Sequence, residues 1–114
     1  MTRTVLVVDD DPAVLEVIAG MPEDLGCDVV TAASGLEALE QLGRDERIAI
    51  LITDINMPSM DGHELAERAM KISPKLQILQ LSGREPRRGG FPMIRKPFSA
   101  RDLADTMQHT TGFC

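Results

Sequence analysis

Short apolar runs alternate along this chain with longer stretches of helical periodicity, and each run has the length of a β-strand. The first run, residues 5–8, is continuous and rich in β-branched residues, as expected of a strand that is buried on both faces. Asp11 and Pro12 follow shortly after it, and this pair is typical of a helix cap and the first helical position. The alternation of strand and helix predicts an α/β fold built on a parallel sheet.

The same pattern repeats to the end of the chain. Helix caps are predicted at Ser34, where Glu37 completes a capping box, at Asp61 and at Ser99. Gly62 is predicted to be a turn glycine with positive φ, and His63 a surface residue of the helix that follows. Four further strands are predicted at residues 29–32, 48–53, 76–81 and 92–95.

Composition limits the possible functions. The 114 residues fit one domain, and because aromatic residues make up only 3%, the core must be aliphatic. The net charge of −6 disfavours binding of this domain to nucleic acid or to a membrane surface. The chain has no apolar run long enough to span a bilayer and no signal-peptide pattern, so we expect a cytoplasmic protein. Cys27 and Cys114 form no metal or redox motif and are expected to be reduced thiols.

One connection is unusually short. Only the ten residues from Ser82 to Phe91 separate the fourth predicted strand from the fifth, and they include three glycines and one proline. A parallel crossover with its helix normally needs at least about ten to twelve residues. We therefore expect the fourth helix to be shortened or missing.

Acidic residues follow two of the predicted strands. Asp9 and Asp10 end the first strand, and Asp54 ends the third. In a doubly wound sheet the carboxyl ends of the strands share one edge, so the three carboxylates meet if these strands are neighbours. Their mutual repulsion implies a bound cation, and a set of oxygen ligands favours Mg²⁺.

A hydroxyl and an ammonium group are predicted at the same edge. Ser82 ends the fourth strand, and Lys96 follows the fifth and precedes Pro97, where a cis peptide bond would turn the lysine inward. The lysine and the serine can each bind a phosphoryl oxygen. Together with a carboxylate nucleophile and Mg²⁺, they constitute a site for phosphoryl transfer.

Four motifs, in this order along the chain, resemble the receiver domain of two-component response regulators. They are Val7-Val8-Asp9-Asp10, the run from Asp54 to Gly62 that reads DINMPSMDG, Ser82-Gly83, and Lys96-Pro97-Phe98. The resemblance implies a flavodoxin-like, doubly wound, five-stranded parallel sheet of strand order 2-1-3-4-5. Only 18 residues follow Lys96 (114 minus 96), so we expect residues 1–114 to be a single receiver domain without an output domain, either standing alone or belonging to a longer regulator or hybrid kinase.

The resemblance assigns a role to each site residue. Asp54 would be the phosphoacceptor, while Ser82 and Lys96 would contact the phosphoryl group. Asp10, Asp54 and the carbonyl of Asn56 would bind Mg²⁺ directly, with Asp9 acting through water. The phosphoryl donor would be a sensor histidine kinase or a histidine phosphotransfer protein. Such a domain is no enzyme in the usual sense, since it catalyses only its own phosphorylation and slow dephosphorylation.

Two departures from the family pattern leave an alternative open. The family usually has an aromatic residue three positions before the lysine, where this chain has Met93, although Phe91 lies two residues earlier. The second departure is the short crossover. Both are compatible with a pseudo-receiver that binds a partner without being phosphorylated. A haloacid-dehalogenase-like phosphohydrolase is a weaker alternative, because Asn56 stands where those enzymes have their second acid.

Overall fold

The computed structural model describes residues 3–83, 91–96 and 98–111. Five strands and four helices alternate through these residues. The strands are β1 (Thr4–Val8), β2 (Asp28–Ala32), β3 (Ile48–Asp54), β4 (Gln77–Ser82) and β5 (Met93–Arg95). The helices are α1 (Pro12–Asp24), α2 (Gly35–Arg44), α3 (Gly62–Ile72) and α4 (Ala100–Thr111).

Side-chain caps begin the helices at the predicted residues. The Asp11 carboxylate accepts from Ala13 N at 3.0 Å, and the Ser34 hydroxyl accepts from Glu37 N at 3.1 Å. Asp61 caps α3 in the same way through Glu64 N. These bonds satisfy N–H groups that the first turn of a helix leaves unpaired.

All strands of the sheet are parallel, and their order is β2-β1-β3-β4-β5. The predicted doubly wound fold and its strand order are therefore confirmed. From β1 the chain moves outward in one direction to β2, and from β3 it moves outward in the other direction to β4. The strand order therefore reverses between β1 and β3. Ligands of doubly wound sheets bind beside this reversal, at the carboxyl ends of the strands.

The sheet separates two aliphatic cores. One face packs Leu6, Leu51 and Ile78 against α2 and α3, and the other packs Val7, Ile52 and Leu79 against α1 and α4. β3 is apolar on both faces, as predicted, and four of its residues are fully buried. A central strand of this kind holds its carboxyl end in a fixed position.

Several predictions concern the crossover from β4 to β5 and its surroundings. Residues 84–90 and Pro97 lie outside the described part of the chain, and so do the predicted cis bond and any helix at 84–90. Gly83, Phe91 and Pro92, the described residues between β4 and β5, are not helical. Phe91 packs against the core on the α2 and α3 side.

The structure corrects the expectation for the cysteines. Cys27 is buried and disulfide-bonded, so the prediction of a reduced thiol is wrong for this residue. Cys114 lies outside the described residues. Within the described part of the chain, no helix combines the length and the apolar character that crossing a membrane requires.

Candidate functional site

The strand register brings the ends of β1 and β3 side by side. Val8 pairs with Thr53, so that Asp9 and Asp54 each follow one member of this last pair. Carboxylate oxygens of Asp9, Asp10 and Asp54 all lie within 4.8 Å of one another. The structure thus brings together the three acids that the sequence placed at this edge.

The three carboxylates differ in exposure. Asp9 is 2% exposed and Asp54 7% exposed, whereas Asp10 is open to solvent. One carboxylate oxygen of Asp9, Oδ1, accepts from Asp11 N at 2.9 Å. The other, Oδ2, is buried and has no hydrogen-bond partner in the described residues. A buried carboxylate oxygen with a free acceptor position, next to two further carboxylates, fits a divalent cation with oxygen ligands.

The electrostatics of Asp9 agree with this fit. Burial raises the pKa of the Asp9 carboxyl above 3.8, and the nearby Asp54 and Asp10 carboxylates raise it further. The bond from Asp11 N and the charge of Lys96 act in the opposite direction and lower this pKa. The net shift is upward, so without a cation the Asp9 carboxyl gives up its proton less readily than an ordinary aspartate does.

A lysine reaches Asp54 from the opposite side of the site. The Lys96 Nζ lies 3.2 Å from Asp54 Oδ1. The backbone N–H of Lys96 also donates to the carbonyl of Ser82 at 2.6 Å, which ties the residue after β5 to the end of β4. Ser82 itself is fully buried, and it lies one residue beyond Leu81, the register partner of Asp54. Lys96 and Ser82 therefore border the phosphoacceptor candidate on the side of β4 and β5.

The loop from β3 to α3 is held by its own backbone. Ile55 N donates to Leu81 O at 3.1 Å, and the carbonyl of Ile55 accepts from Gly62 N at 2.9 Å. Asn56 is exposed in this loop, two residues after Asp54, and Ser59 adopts φ = 68°. The bonds at both ends of the loop fix the direction in which Asp54 and Asn56 leave the sheet.

Gly62 is needed for a reason that the sequence did not reveal. Its φ is not positive, so the prediction of a left-handed turn glycine is wrong. A Cβ atom at Gly62 would lie 2.5 Å from the carbonyl oxygen of Asp54 and 2.7 Å from the Cα of Ile55. The glycine allows the first turn of α3 to approach the backbone of the phosphoacceptor candidate.

Two polar residues near the site were not anticipated. Gln80, in the middle of β4, is fully buried, and His63 is only 7% exposed. The prediction that His63 is a surface residue is therefore wrong. Their side chains meet between β4 and the first turn of α3, with Gln80 Nε2 3.4 Å from His63 Nδ1.

Fold and site together define a class of protein: a doubly wound α/β domain with an acidic cluster and a lysine at the switch point of its sheet. Comparison with known proteins gives the same class. The response regulator receiver domain family matches residues 5–108. The chain belongs to this family.

Relatives and solved structures agree with the assignment. The chain is 33% identical to the response regulator receiver protein CpdR of Brucella abortus, over 93% of this chain and 94% of CpdR. A receiver domain protein from Clostridium thermocellum superposes with a TM-score of 0.88 at 28% identity, covering 96% of this chain and 94% of that one. The chemotaxis protein CheY4 of Vibrio cholerae superposes with a TM-score of 0.86 at 29% identity, over 96% and 99% of the two chains.

Other relatives are much longer than this chain. It is 35% identical to the transcriptional regulatory protein GlrR of Escherichia coli over 81% of its own length but only 22% of that of GlrR. It matches 12% of the sensor kinase CckA of Brucella abortus, at 34% identity over 94% of this chain. Receiver domains are signalling modules that interact with histidine kinases or phosphotransfer proteins, and they generally bind Mg²⁺ at an acidic pocket.

Proposed function

We propose that this chain is a phospho-accepting receiver, in which Asp54 takes a phosphoryl group from a phosphohistidine in a Mg²⁺-dependent reaction. The donor would be a sensor histidine kinase or a histidine phosphotransfer protein. The observation that carries the proposal is the position of Asp54, which lies 3.2 Å from the Lys96 ammonium and within 4.8 Å of the Asp9 and Asp10 carboxylates.

The reaction follows from the groups at the site. An oxygen of Asp54 attacks phosphorus, the bond from phosphorus to the donor imidazole nitrogen breaks, and that nitrogen keeps the electron pair. The product is an acyl phosphate on Asp54. Lys96 stabilises the negative charge on the phosphoryl oxygens, and the Ser82 hydroxyl donates to one of them.

Mg²⁺ would be held by Asp10, Asp54 and the Asn56 carbonyl, with Asp9 acting through water, and it would supply positive charge opposite the transferred group. The free acceptor position on Asp9 Oδ2 supports this assignment. In the proposed function the domain converts no substrate apart from its phosphoryl donor. It catalyses its own phosphorylation and, by attack of water at the same phosphorus, its slow dephosphorylation.

Intact-mass spectrometry tests the proposal. The protein is incubated with acetyl phosphate, with and without Mg²⁺, and wild type is compared with Asp54→Asn. Glu40→Gln, which removes an exposed carboxylate on α2, serves as the matched control. We expect one phosphoryl adduct that requires Mg²⁺ and Asp54, survives in the control and is lost on treatment with hydroxylamine, as an acyl phosphate is.

A pseudo-receiver would give a different result. Met93, which occupies the position of the usual aromatic residue, is half-buried, and together with the short predicted crossover it favours this alternative. Folded protein that took no adduct from acetyl phosphate or from a kinase donor would refute phosphorylation. The domain would then act by binding a partner.

A further inference from the structure

Gln80 is an unusual residue for the centre of a parallel sheet. It lies in β4 between β3 and β5 and is fully buried, on the face that Ile78 shares with α2 and α3. Parallel strands at such positions are normally apolar, because a buried polar group costs stability unless all its hydrogen bonds are made. A glutamine at this place requires an explanation.

The amide nitrogen of Gln80 contacts the first turn of α3 at two points. Nε2 donates to the carbonyl of Gly62 at 3.3 Å and lies 3.4 Å from Nδ1 of His63. The carbonyl can only accept, so the nitrogen and not the oxygen of the amide must face it, and Nδ1 of His63 then accepts as well. We name this arrangement the Gln80 clamp: Gln80, the carbonyl of Gly62 and the ring of His63.

The clamp is not satisfied in full. Its orientation leaves Oε1 of Gln80 buried, without a hydrogen-bond partner in the described residues. A methionine of similar shape would leave no such oxygen, but it would also take the donor away from the buried Nδ1 of His63, so the two effects on stability oppose each other. Stability alone therefore does not account for the glutamine, and features that lower stability are expected at functional sites.

Gly62 connects the clamp to the phosphoacceptor. Its N–H donates to Ile55 O at 2.9 Å, and its Cα faces the carbonyl oxygen of Asp54 so closely that a Cβ atom would lie 2.5 Å from it. A shift of the first turn of α3 would thus move the backbone that carries Asp54. Gln80 is also connected to the other half of the site. Ser82 lies two residues after it in β4, and the carbonyl of Ser82 accepts from Lys96 N.

We propose that Gln80 is a positioning residue for phosphoryl transfer: by holding Gly62 and His63, it fixes the loop that presents Asp54 and Asn56 against the strand that carries Ser82. This inference rests on the proposed function. It adds a contact between the two halves of the site, one built by β3 and α3 and the other by β4 and β5.

The test uses the full chain and two variants in the same strand. Gln80→Met keeps the size of the side chain but removes both contacts of the clamp. Ile78→Val, two residues earlier on the same face, removes one buried methyl group and leaves the clamp intact. Stability to urea, amide hydrogen exchange without any donor, and the rate of phosphorylation by acetyl phosphate with Mg²⁺ are measured for each.

We expect Gln80→Met to unfold at a urea concentration close to that of wild type, because the relief of the unpaired Oε1 offsets the loss of the donor to His63. The Ile55 and Gly62 amides should exchange about fivefold faster or more, with those of residues 50–52 unchanged. The maximal rate of phosphorylation should fall about fivefold or more, with the acetyl phosphate concentration at half-maximal rate unchanged, since misplacement of a nucleophile lowers the rate steeply. Ile78→Val should unfold earlier and keep the wild-type rate.

Two results would overturn the inference: amide exchange in Gln80→Met equal to that of wild type, or a maximal rate equal to that of wild type. Wild-type protein that takes no phosphoryl group would instead refute the proposed function. Amide exchange is measured without a phosphoryl donor, so it tests the clamp even if wild type is not phosphorylated. Faster exchange of the Ile55 and Gly62 amides in Gln80→Met would then support the clamp, and unchanged exchange would overturn it.

Discussion

Lys96 places a positive group against the proposed nucleophile, with its Nζ 3.2 Å from Asp54 Oδ1. The lysine side chain is one-third exposed and the aspartate side chain 10% exposed, so water screens the pair in part. Its contribution to stability is therefore small. Its contribution to phosphoryl transfer is larger, because the phosphoryl oxygens carry more negative charge near the transition state than a single carboxylate does.

Lys96→Ala should therefore lower the rate of phosphorylation of Asp54 by about 10- to 100-fold and change the free energy of unfolding by less than about 1 kcal/mol. Lys75→Ala is the matched control, since Lys75 is exposed just before β4, at the opposite edge of the sheet. The rate of adduct formation and urea unfolding are measured for both. A Lys96→Ala protein phosphorylated at the wild-type rate would contradict the role of the lysine.

Asp9 makes the stability of cation-free protein depend on pH. Its pKa in the folded protein is raised, above all by burial, so the folded state keeps a proton that the unfolded chain has already lost. As pH rises from about 3.8 through the folded pKa, the free energy of unfolding falls, by at most about 1.4 kcal/mol per pH unit for one proton. Above this window the cost of ionising Asp9 is fully present.

Asp9→Asn removes that cost. In the absence of divalent cations we expect the variant to be more stable than wild type at pH 7, and the advantage to disappear as pH falls through the window toward 3.8. Mg²⁺ should raise the unfolding temperature of wild type more than that of the variant, because a cation stabilises the folded state by binding it. An advantage of equal size at pH 7 and at pH 3.8 would refute the explanation by proton linkage.

The start of α3 depends on close packing of two backbones. Gly62 is its first residue, and a Cβ there would press on the carbonyl of Asp54, which is a backbone group of the central strand and not the end of a flexible side chain. Gly43 is the contrasting case, since it lies exposed within α2 and a Cβ there would meet nothing within 4 Å. The same substitution should therefore have opposite effects at the two positions.

Gly62→Ala should destabilise the protein by about 1–3 kcal/mol and slow the phosphorylation of Asp54. Gly43→Ala should stabilise it by about 0.5–1 kcal/mol, because alanine loses less conformational freedom in a helix than glycine, and should leave phosphorylation unchanged. Urea unfolding and adduct formation decide both points. Destabilisation by both substitutions would show that the packing of Gly62 is not the cause.

The positions of the acidic cluster and of Lys96 could be predicted because they depend only on the direction of the strands. Strands that are predicted to be parallel put their carboxyl ends at one edge. Asp9 and Lys96 each follow a strand directly, and Asp54 is the last residue of one. The helix caps could be predicted for a similar reason, since a cap is a contact between near neighbours in sequence.

Contacts between distant elements could not be predicted in this way. His63 and Gln80 are 17 residues apart, and no residue near either of them in the sequence predicts their contact. A polar residue in an α/β strand and a histidine in a first helical turn are each expected at the surface, so only the packing of α3 on β4 reveals their burial. The need for Gly62 depends in the same way on how close α3 comes to β3.

The molecule as a whole has two helices on each face of its sheet within the described residues, α1 and α4 on one side and α2 and α3 on the other. Receiver domains often dimerise through a face that includes a helix between the fourth and fifth strands. Here the predicted crossover from Ser82 to Phe91 has ten residues with three glycines and a proline, which is at or below the length that a crossover with a full helix normally needs. We therefore expect the usual dimer face to be incomplete.

We expect the protein to remain monomeric when beryllofluoride and Mg²⁺ mimic the phosphorylated state. Light scattering should give the mass of one chain with and without beryllofluoride. Small-angle scattering should agree with a compact particle whose Cα atoms have a radius of gyration of 12.4 Å. Asp54→Asn, which should not bind beryllofluoride, is the control for effects of the reagent. A doubling of mass in wild type alone would contradict the expectation of a monomer.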